Sequence, residues 1–375
     1  MVWTVLSACG NDPASAPDPV TPVVPADTTE PTIDRTVWQS GLSTPWDIAF
    51  LPDSTALITE RGGRLRARRF SGALTTVTTI PDVRVGGEGG LLGLAVDPQF
   101  ASNRYVYTCY SSNQGGADDN RLVRWKLAID LASLTDRTDL VIGLPRANGG
   151  RHSGCRPRFG PDGFLWVGTG DAAIGSNPQN VSSLGGKVLR ITRDGAAAPG
   201  GPALRGGDAR IFTYGHRNVQ GIAFHPVTGD AYSAEHGPSR DDEVTKLVSG
   251  GNAGWDPVPG YNESVSMTDL TAFPNAMPAV WRSGAPARGT SGATFLTGRQ
   301  WKRWENALVI AQLVGAKLVV LELQTPTAAA PTVARETALF NTLGARLRVA
   351  VQGPDGALYV ATDASSGEIW RVAPR

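Results

Sequence analysis

Charge, sulfur, histidine and long apolar runs are all in short supply in this 375-residue sequence, and each scarcity excludes something. Charged residues make up 18% of the chain and the net charge is +1, so no electrostatic attraction draws it to nucleic acid or to an anionic membrane face. No apolar run approaches the ~20 residues that a membrane-spanning helix needs. Helical periodicities are few and short. What is abundant is glycine (45) and proline (27), punctuating stretches rich in valine and threonine, which is the pattern of an all-β protein.

The three cysteines divide into one and two. Leu6-Ser7-Ala8-Cys9 has the form of a lipoprotein signal-cleavage box, with Cys9 as the lipidated residue. Only residues 1–5 precede it, too few for a signal peptide with a basic start and an apolar centre, so the reading implies a start further upstream. Residues 10–32 are rich in Pro, Asp, Ala and Thr without a periodic apolar face, and are expected to form a disordered tether. The division expected is therefore a truncated signal segment (1–9), a tether (10–32) and a folded domain (33–375). The protein is expected to be exported, periplasmic or at the cell surface, and anchored through Cys9. Export would permit a disulfide between Cys109 and Cys155; two buried free thiols are the alternative.

From Ile33 onward one theme recurs six times: a strand, a turn with Pro, Asp or Gly, a second strand, then later strands. The copies begin at WDIAFLPD (46–53), LGLAVDP (92–98), FGPDGFLWV (159–167), GIAFHP (221–226), GATFLTG (292–298) and RVAV (348–351). Units that cannot bury their faces alone point to a six-bladed β-propeller; a sandwich or a pair of β domains is the alternative. In a propeller, loops from every blade converge on one face around the axis, where distant residues assemble a site.

Five loops carry chemistry. Residues 149–171 hold His152 in a glycine-rich loop, then two strands joined by a hairpin, then Asp171. Antiparallel pairing returns Asp171 to His152, and an imidazole oriented by a carboxylate makes a general base near neutral pH. Glu88 is a lone acid among the glycines of 86–93, where backbone can approach a ligand closely. Arg217 and Asn218 stand at the entrance to a strand. The Gly237-Pro238 turn, followed by Asp241, Asp242 and Glu243, suits a hard, oxygen-liganded cation such as calcium. Arg346 and Arg348 alternate onto one side of a strand. Three arginines aimed at one face favour a planar, polyanionic ligand.

In order along the chain, GGEGGLLGLAVDPQF (86–100), RHSGCR (151–156), YGHRNVQGIAFHP (214–226), EHGPSRDDEV (235–244) with GGNAGWD (250–256), and RLRVAVQGPDGALYVATD (346–363) resemble the soluble quinoprotein glucose and aldose sugar dehydrogenases. The resemblance implies a six-bladed propeller that uses pyrroloquinoline quinone (PQQ) and calcium to oxidise the C1 hydroxyl of aldose sugars to lactones, passing electrons on to a further, unidentified acceptor. It assigns His152 as general base and Asp171 as its partner. The Gly237 and Pro238 carbonyls become calcium ligands with Asp242 beside them. Arg217, Asn218, Arg346 and Arg348 become cofactor-binding residues, and Glu88 faces the sugar. Two departures matter. Arg151 stands where glucose dehydrogenases carry an acid before the base, which implies a broad substrate range. Val314 stands where relatives have a cofactor-binding lysine, with Lys317 a candidate replacement. A calcium-dependent lactone hydrolase and a non-catalytic sugar- or protein-binding propeller are the competing readings.

Overall fold

A computed structural model describes residues 27–375. Among these the chain forms six four-stranded antiparallel sheets, each a blade, arranged as a six-bladed β-propeller. The innermost strands are Pro45–Phe50, Leu91–Val96, Arg156–Phe159, Val219–Phe224, Thr290–Phe295 and Leu347–Gln352. Each packs against its two neighbours, and the first meets the last to close the ring.

Burial follows position in the blade. Leu91–Val96 is covered on both faces and reads as a nearly continuous apolar run, LLGLAV. The outermost strand Thr332–Leu339 alternates half-buried and exposed residues, and its charged and threonine side chains protect an open edge. Between blades the cores are aliphatic and aromatic: Trp46, Leu92, Tyr107, Leu122, Val167 and Leu189 belong to one continuous cluster. Two of the six first hairpins, in the third and sixth blades, turn on Gly-Pro-Asp-Gly. In residues 160–163 the Gly163 backbone has φ +77°, the left-handed conformation glycine adopts freely, and Gly160 N–H donates to the Phe164 carbonyl (2.9 Å). The same turn recurs at 353–356, with Gly356 at φ +76°.

Two features lie outside the six repeats. The strand Ile33–Leu42, which precedes the first of them, pairs with Gly367–Pro374 and completes the last blade. Alternation identifies a strand but not its partner, and this pairing closes the ring between chain ends. Residues 247–278, which join the last two strands of blade 4, climb beside blade 3: Ala253 N–H donates to Tyr214 O (2.8 Å) and Trp255 N–H to Gly215 O (2.9 Å).

Cys109, in the second strand of blade 2, and Cys155, at the entrance to blade 3, are joined in a disulfide with Cα atoms 5.8 Å apart. Cys9 and residues 10–26 of the expected tether lie outside the described residues. Residues 27–30 are exposed, with Glu30 paired to Arg303 (2.5 Å) and Thr29 O accepting Arg303 N–H (3.2 Å). No described helix is long and apolar enough to cross a membrane.

Candidate active site

The loops that enter the six inner strands share one face of the ring, and the expected site residues gather there. The loop at 86–90 and the loop at 149–154 interlock through glycine. A Cβ on Gly87 would fall 2.1 Å from Gly149 O, and one on Gly170 would overlap His152 O, so neither position tolerates a side chain. This close packing sets His152 in a left-handed backbone conformation (φ +52°) and buries its ring.

His152 Nδ1 lies 2.8 Å from Asp171 Oδ1, as the hairpin geometry requires. Asp171 is completely buried and its carboxylate is saturated with donors. Oδ1 also accepts Ala173 N–H (2.8 Å), while Oδ2 accepts the Trp255 indole N–H (2.9 Å) and the Tyr261 hydroxyl (2.7 Å). The Tyr261 oxygen is also 2.9 Å from His152 Nδ1, and burial beside Asp171 pushes its phenol far above the ordinary range. Four donors converge on this carboxylate, and Asp171 in turn orients the imidazole through Nδ1. Among the described residues Nε2 has no protein partner and is the nitrogen available to a substrate.

Beneath this pair the Lys187 ammonium is buried against the carbonyls of Asn177 (2.7 Å), Pro178 (3.1 Å) and Gly185 (2.6 Å). Burial pushes its pKa down to about 7, with Asp171 opposing. Three carbonyl acceptors match the three N–H donors of the charged form, which favours the ammonium.

Across the axis, Asn218 bridges two blades. Its Nδ2 donates to Glu88 Oε2 (3.0 Å) and its Oδ1 accepts Gly154 N–H (3.1 Å). The Arg217 guanidinium is buried, donates to His236 O (2.8 Å) and Glu263 Oε1 (2.5 Å), and keeps a buried Nε without a partner. Glu263 also binds Arg151 (2.7 Å). Burial raises the Glu263 pKa, but hydrogen bonds from Arg217 and Arg151 outweigh this and hold it below the ordinary range. Arg151 thus stands at the rim, half-exposed and paired, rather than pointing alone at a sugar. Arg346 and Arg348 converge on opposite oxygens of Asp363 (3.1 Å each), which confirms that they project to one side. Arg348 also donates to Gln220 Oε1 (2.9 Å), and its buried Nε is unpaired.

At the Gly237-Pro238 turn, neither carbonyl accepts a hydrogen bond from the described residues, so both oxygens have free lone pairs. Asp242, the acid beside this turn, fixes the backbone around it. Its Oδ1 accepts Gly237 N–H (2.9 Å); its Oδ2 accepts Arg288 N–H (2.9 Å), Thr290 N–H (2.8 Å) and the Thr290 hydroxyl (2.9 Å). Both oxygens are committed to fixing the turn. Among the described residues no three His, Cys, Asp or Glu side chains cluster around a common metal position. A cavity lined by Trp38, Phe50, Arg68 and Tyr359, where blades 6 and 1 meet, shares no residue with this site.

The structure brings His152, Asp171, Glu88, Arg217, Asn218, Arg346 and Arg348 to one face, together with Trp255, Tyr261, Glu263 and Asp363, which the sequence did not single out. Asp363 follows the last ALYVAT strand as Asp171 follows its own strand, a signal that was present. The other three arrive from an irregular excursion with no periodic signal.

One face of the propeller thus gathers a carboxylate-held imidazole, several buried or paired guanidinium groups and two free carbonyls. Residues 42–371 match the family model described as Glucose / Sorbosone dehydrogenase. The aldose sugar dehydrogenase YliI of Escherichia coli is 31% identical over 92% of this chain and 94% of its own length. Quinoprotein glucose dehydrogenase B of Acinetobacter calcoaceticus is 32% identical over 67% of this chain and 58% of its own. Among solved structures, the PQQ-bound aldose sugar dehydrogenase of Streptomyces coelicolor superposes with a TM-score of 0.77, at 27% identity, covering 92% of this chain and all of that one. The chain belongs to the glucose/sorbosone dehydrogenase family and is an oxidoreductase of the sugar dehydrogenase class.

Proposed function

We propose that the protein oxidises aldose sugars at the C1 hydroxyl to lactones, with PQQ and calcium as cofactors and His152 as general base. The observation that carries the reading is the buried His152–Asp171 pair, whose Nε2 has no partner among the described residues. The residues present fit the cofactors. Arg217 and Arg348 each retain a buried, unpaired Nε, and the Gly237 and Pro238 carbonyls have unused lone pairs for a hard cation. When bound, the quinone supplies a hydride acceptor and calcium polarises it.

The chain's own contribution is positional and acid–base. Nε2 takes the proton of the C1 hydroxyl as the C1–H bond is broken, and Asp171 stabilises the imidazolium that forms. Tyr261 and Trp255 hold that carboxylate in place. Glu88, itself oriented by Asn218, offers an acceptor to sugar hydroxyls. Arg217, Asn218, Arg346 and Arg348 hold the cofactor, and Asp242 fixes the turn that presents the metal-binding carbonyls. Lactone hydrolysis would use the base and metal but leave the arginine cradle without a purpose. Outside the site, the disulfide supports export, and a tether behind Cys9 would anchor the propeller at the cell surface.

The decisive experiment strips the protein with chelator and restores quinone and calcium singly and together, following dye reduction with glucose or xylose. Activity is expected only with both. Full activity without quinone would overturn the reading.

Substrate range is a second expected outcome. Arg151 donates but cannot accept, and its charge is already matched by Glu263, so this position offers a sugar no acceptor tuned to one hexose. Specificity constants for glucose, xylose and maltose should agree within about tenfold, the contribution of a single exposed polar contact. Strong selectivity for glucose, unchanged in Arg151→Asp, would show that Arg151 does not set the range.

A further inference from the structure

The cations on the site face are not equally available to an anionic ligand. Arg217 shares Glu263 with Arg151, and Arg346 and Arg348 share Asp363. Each pair of guanidinium groups is half neutralised before any ligand arrives. Arg288 differs. It is half-buried on the loop entering blade 5, and among the described residues its guanidinium makes no hydrogen bond or ion pair.

Its backbone location is tightly defined. Arg288 N–H donates to Asp242 Oδ2 (2.9 Å), the carboxylate whose other oxygen holds Gly237 N–H (2.9 Å). The preceding residue, Ala287, donates to Ser239 O (2.9 Å). One carboxylate therefore ties Arg288 to the turn that offers the free carbonyls. On its other side, Arg288 O accepts the N–H groups of Val314 (2.9 Å) and Gly315 (2.7 Å), seating Arg288 against the turn where Val314 exposes 62% of its surface and offers no charge. Beneath the same turn the Gln312 side chain is fully buried, with neither amide atom paired among the described residues.

We infer that Arg288 is a cofactor-binding residue: its guanidinium takes a carboxylate of the planar quinone, supplying from the neighbouring loop the positive charge that Val314 lacks. This rests on the quinone reading above. Arginine suits the role because its fork binds carboxylate bidentately, and because an unpaired guanidinium surrenders no existing ion pair on binding. The chemistry is shared with Lys317, which starts the strand Lys317–Gln324 and stands opposite Gln312 in its hairpin, so the two must be separated by experiment.

The test measures equilibrium binding of PQQ in saturating calcium, by quenching of tryptophan fluorescence, with no turnover involved. Arg288→Gln keeps a polar side chain and removes the charge at a half-buried position; an unchanged melting temperature without quinone confirms the fold. Its Kd is expected to rise about 10- to 100-fold, the range for a charge-assisted hydrogen bond. Adding Val314→Lys to Arg288→Gln should recover most of the loss. Binding unchanged in Arg288→Gln but weakened in Lys317→Gln would overturn the assignment in favour of Lys317. Wild-type protein that binds no quinone at all would overturn the quinone reading, and this assignment with it.

Discussion

His152→Ala is expected to lower kcat by ~100- to 10,000-fold, the usual contribution of a positioned acid–base group, while leaving quinone affinity almost unchanged. The separation follows from the contacts. The ring reaches its surroundings through Nδ1, bonded to Asp171 and within reach of Tyr261. The guanidinium groups assigned to the cofactor touch none of these atoms. Stability should also survive, because removing the imidazole leaves Asp171 still accepting from Ala173, Trp255 and Tyr261. Asp171→Asn should lower kcat too, since a neutral amide neither fixes the tautomer nor stabilises an imidazolium. Steady-state kinetics with dye reduction, beside a quinone titration, tests both variants. Near-normal turnover in His152→Ala would remove the base from the mechanism.

The second large effect is on stability. The Cys109–Cys155 bond spans a sequence separation of 46 and links two fully buried positions in adjacent blades. In the chain-entropy model, opening a loop of this size destabilises by ~4 kcal/mol. Cys109→Ala with Cys155→Ala should therefore unfold at a clearly lower guanidinium concentration, and reductant should shift the wild type in the same direction. Cys155 lies three residues beyond His152, and its carbonyl accepts Gly93 N–H (3.2 Å). Loosening this point should cost activity before the ring unfolds. Two free thiols found by titrating the denatured, unreduced protein would show that the crosslink does not form.

What the sequence revealed, and what it concealed, follows the distance over which each feature is determined. The His152–Asp171 pair was legible because a four-residue hairpin, Arg156–Phe159 against Leu165–Gly168, determines it locally. The convergence of Arg346 and Arg348 was legible for the same reason, from alternation along one strand. Tyr261 and Glu263 were not. They sit in an irregular stretch whose path depends on backbone bonds to Tyr214 and Gly215 of another blade, and no local pattern encodes that route. The hydrogen bonds of Asp242 were equally hidden: an acid run beside a Gly-Pro turn suggests a cation site, and nothing local says that this carboxylate also satisfies N–H groups of a distant loop at Arg288 and Thr290. The closing strand Ile33–Leu42 precedes all six repeats, and its partner lies at the far end of the chain.

That closing strand also sets an orientation. Ile33 pairs with Pro374 and Leu42 with Gly367, so the strand enters from the face opposite the catalytic loops and runs toward them. Glu30, just before it, rests on Arg303 of the short helical turn Arg299–Trp304, which joins the first two strands of blade 5 on that rear face. The described chain therefore begins behind the ring, on the face opposite the site. A propeller tethered from its back to a surface would present its site to freely diffusing sugars and to a soluble electron carrier. A carrier embedded in that same surface would have to reach around the rim.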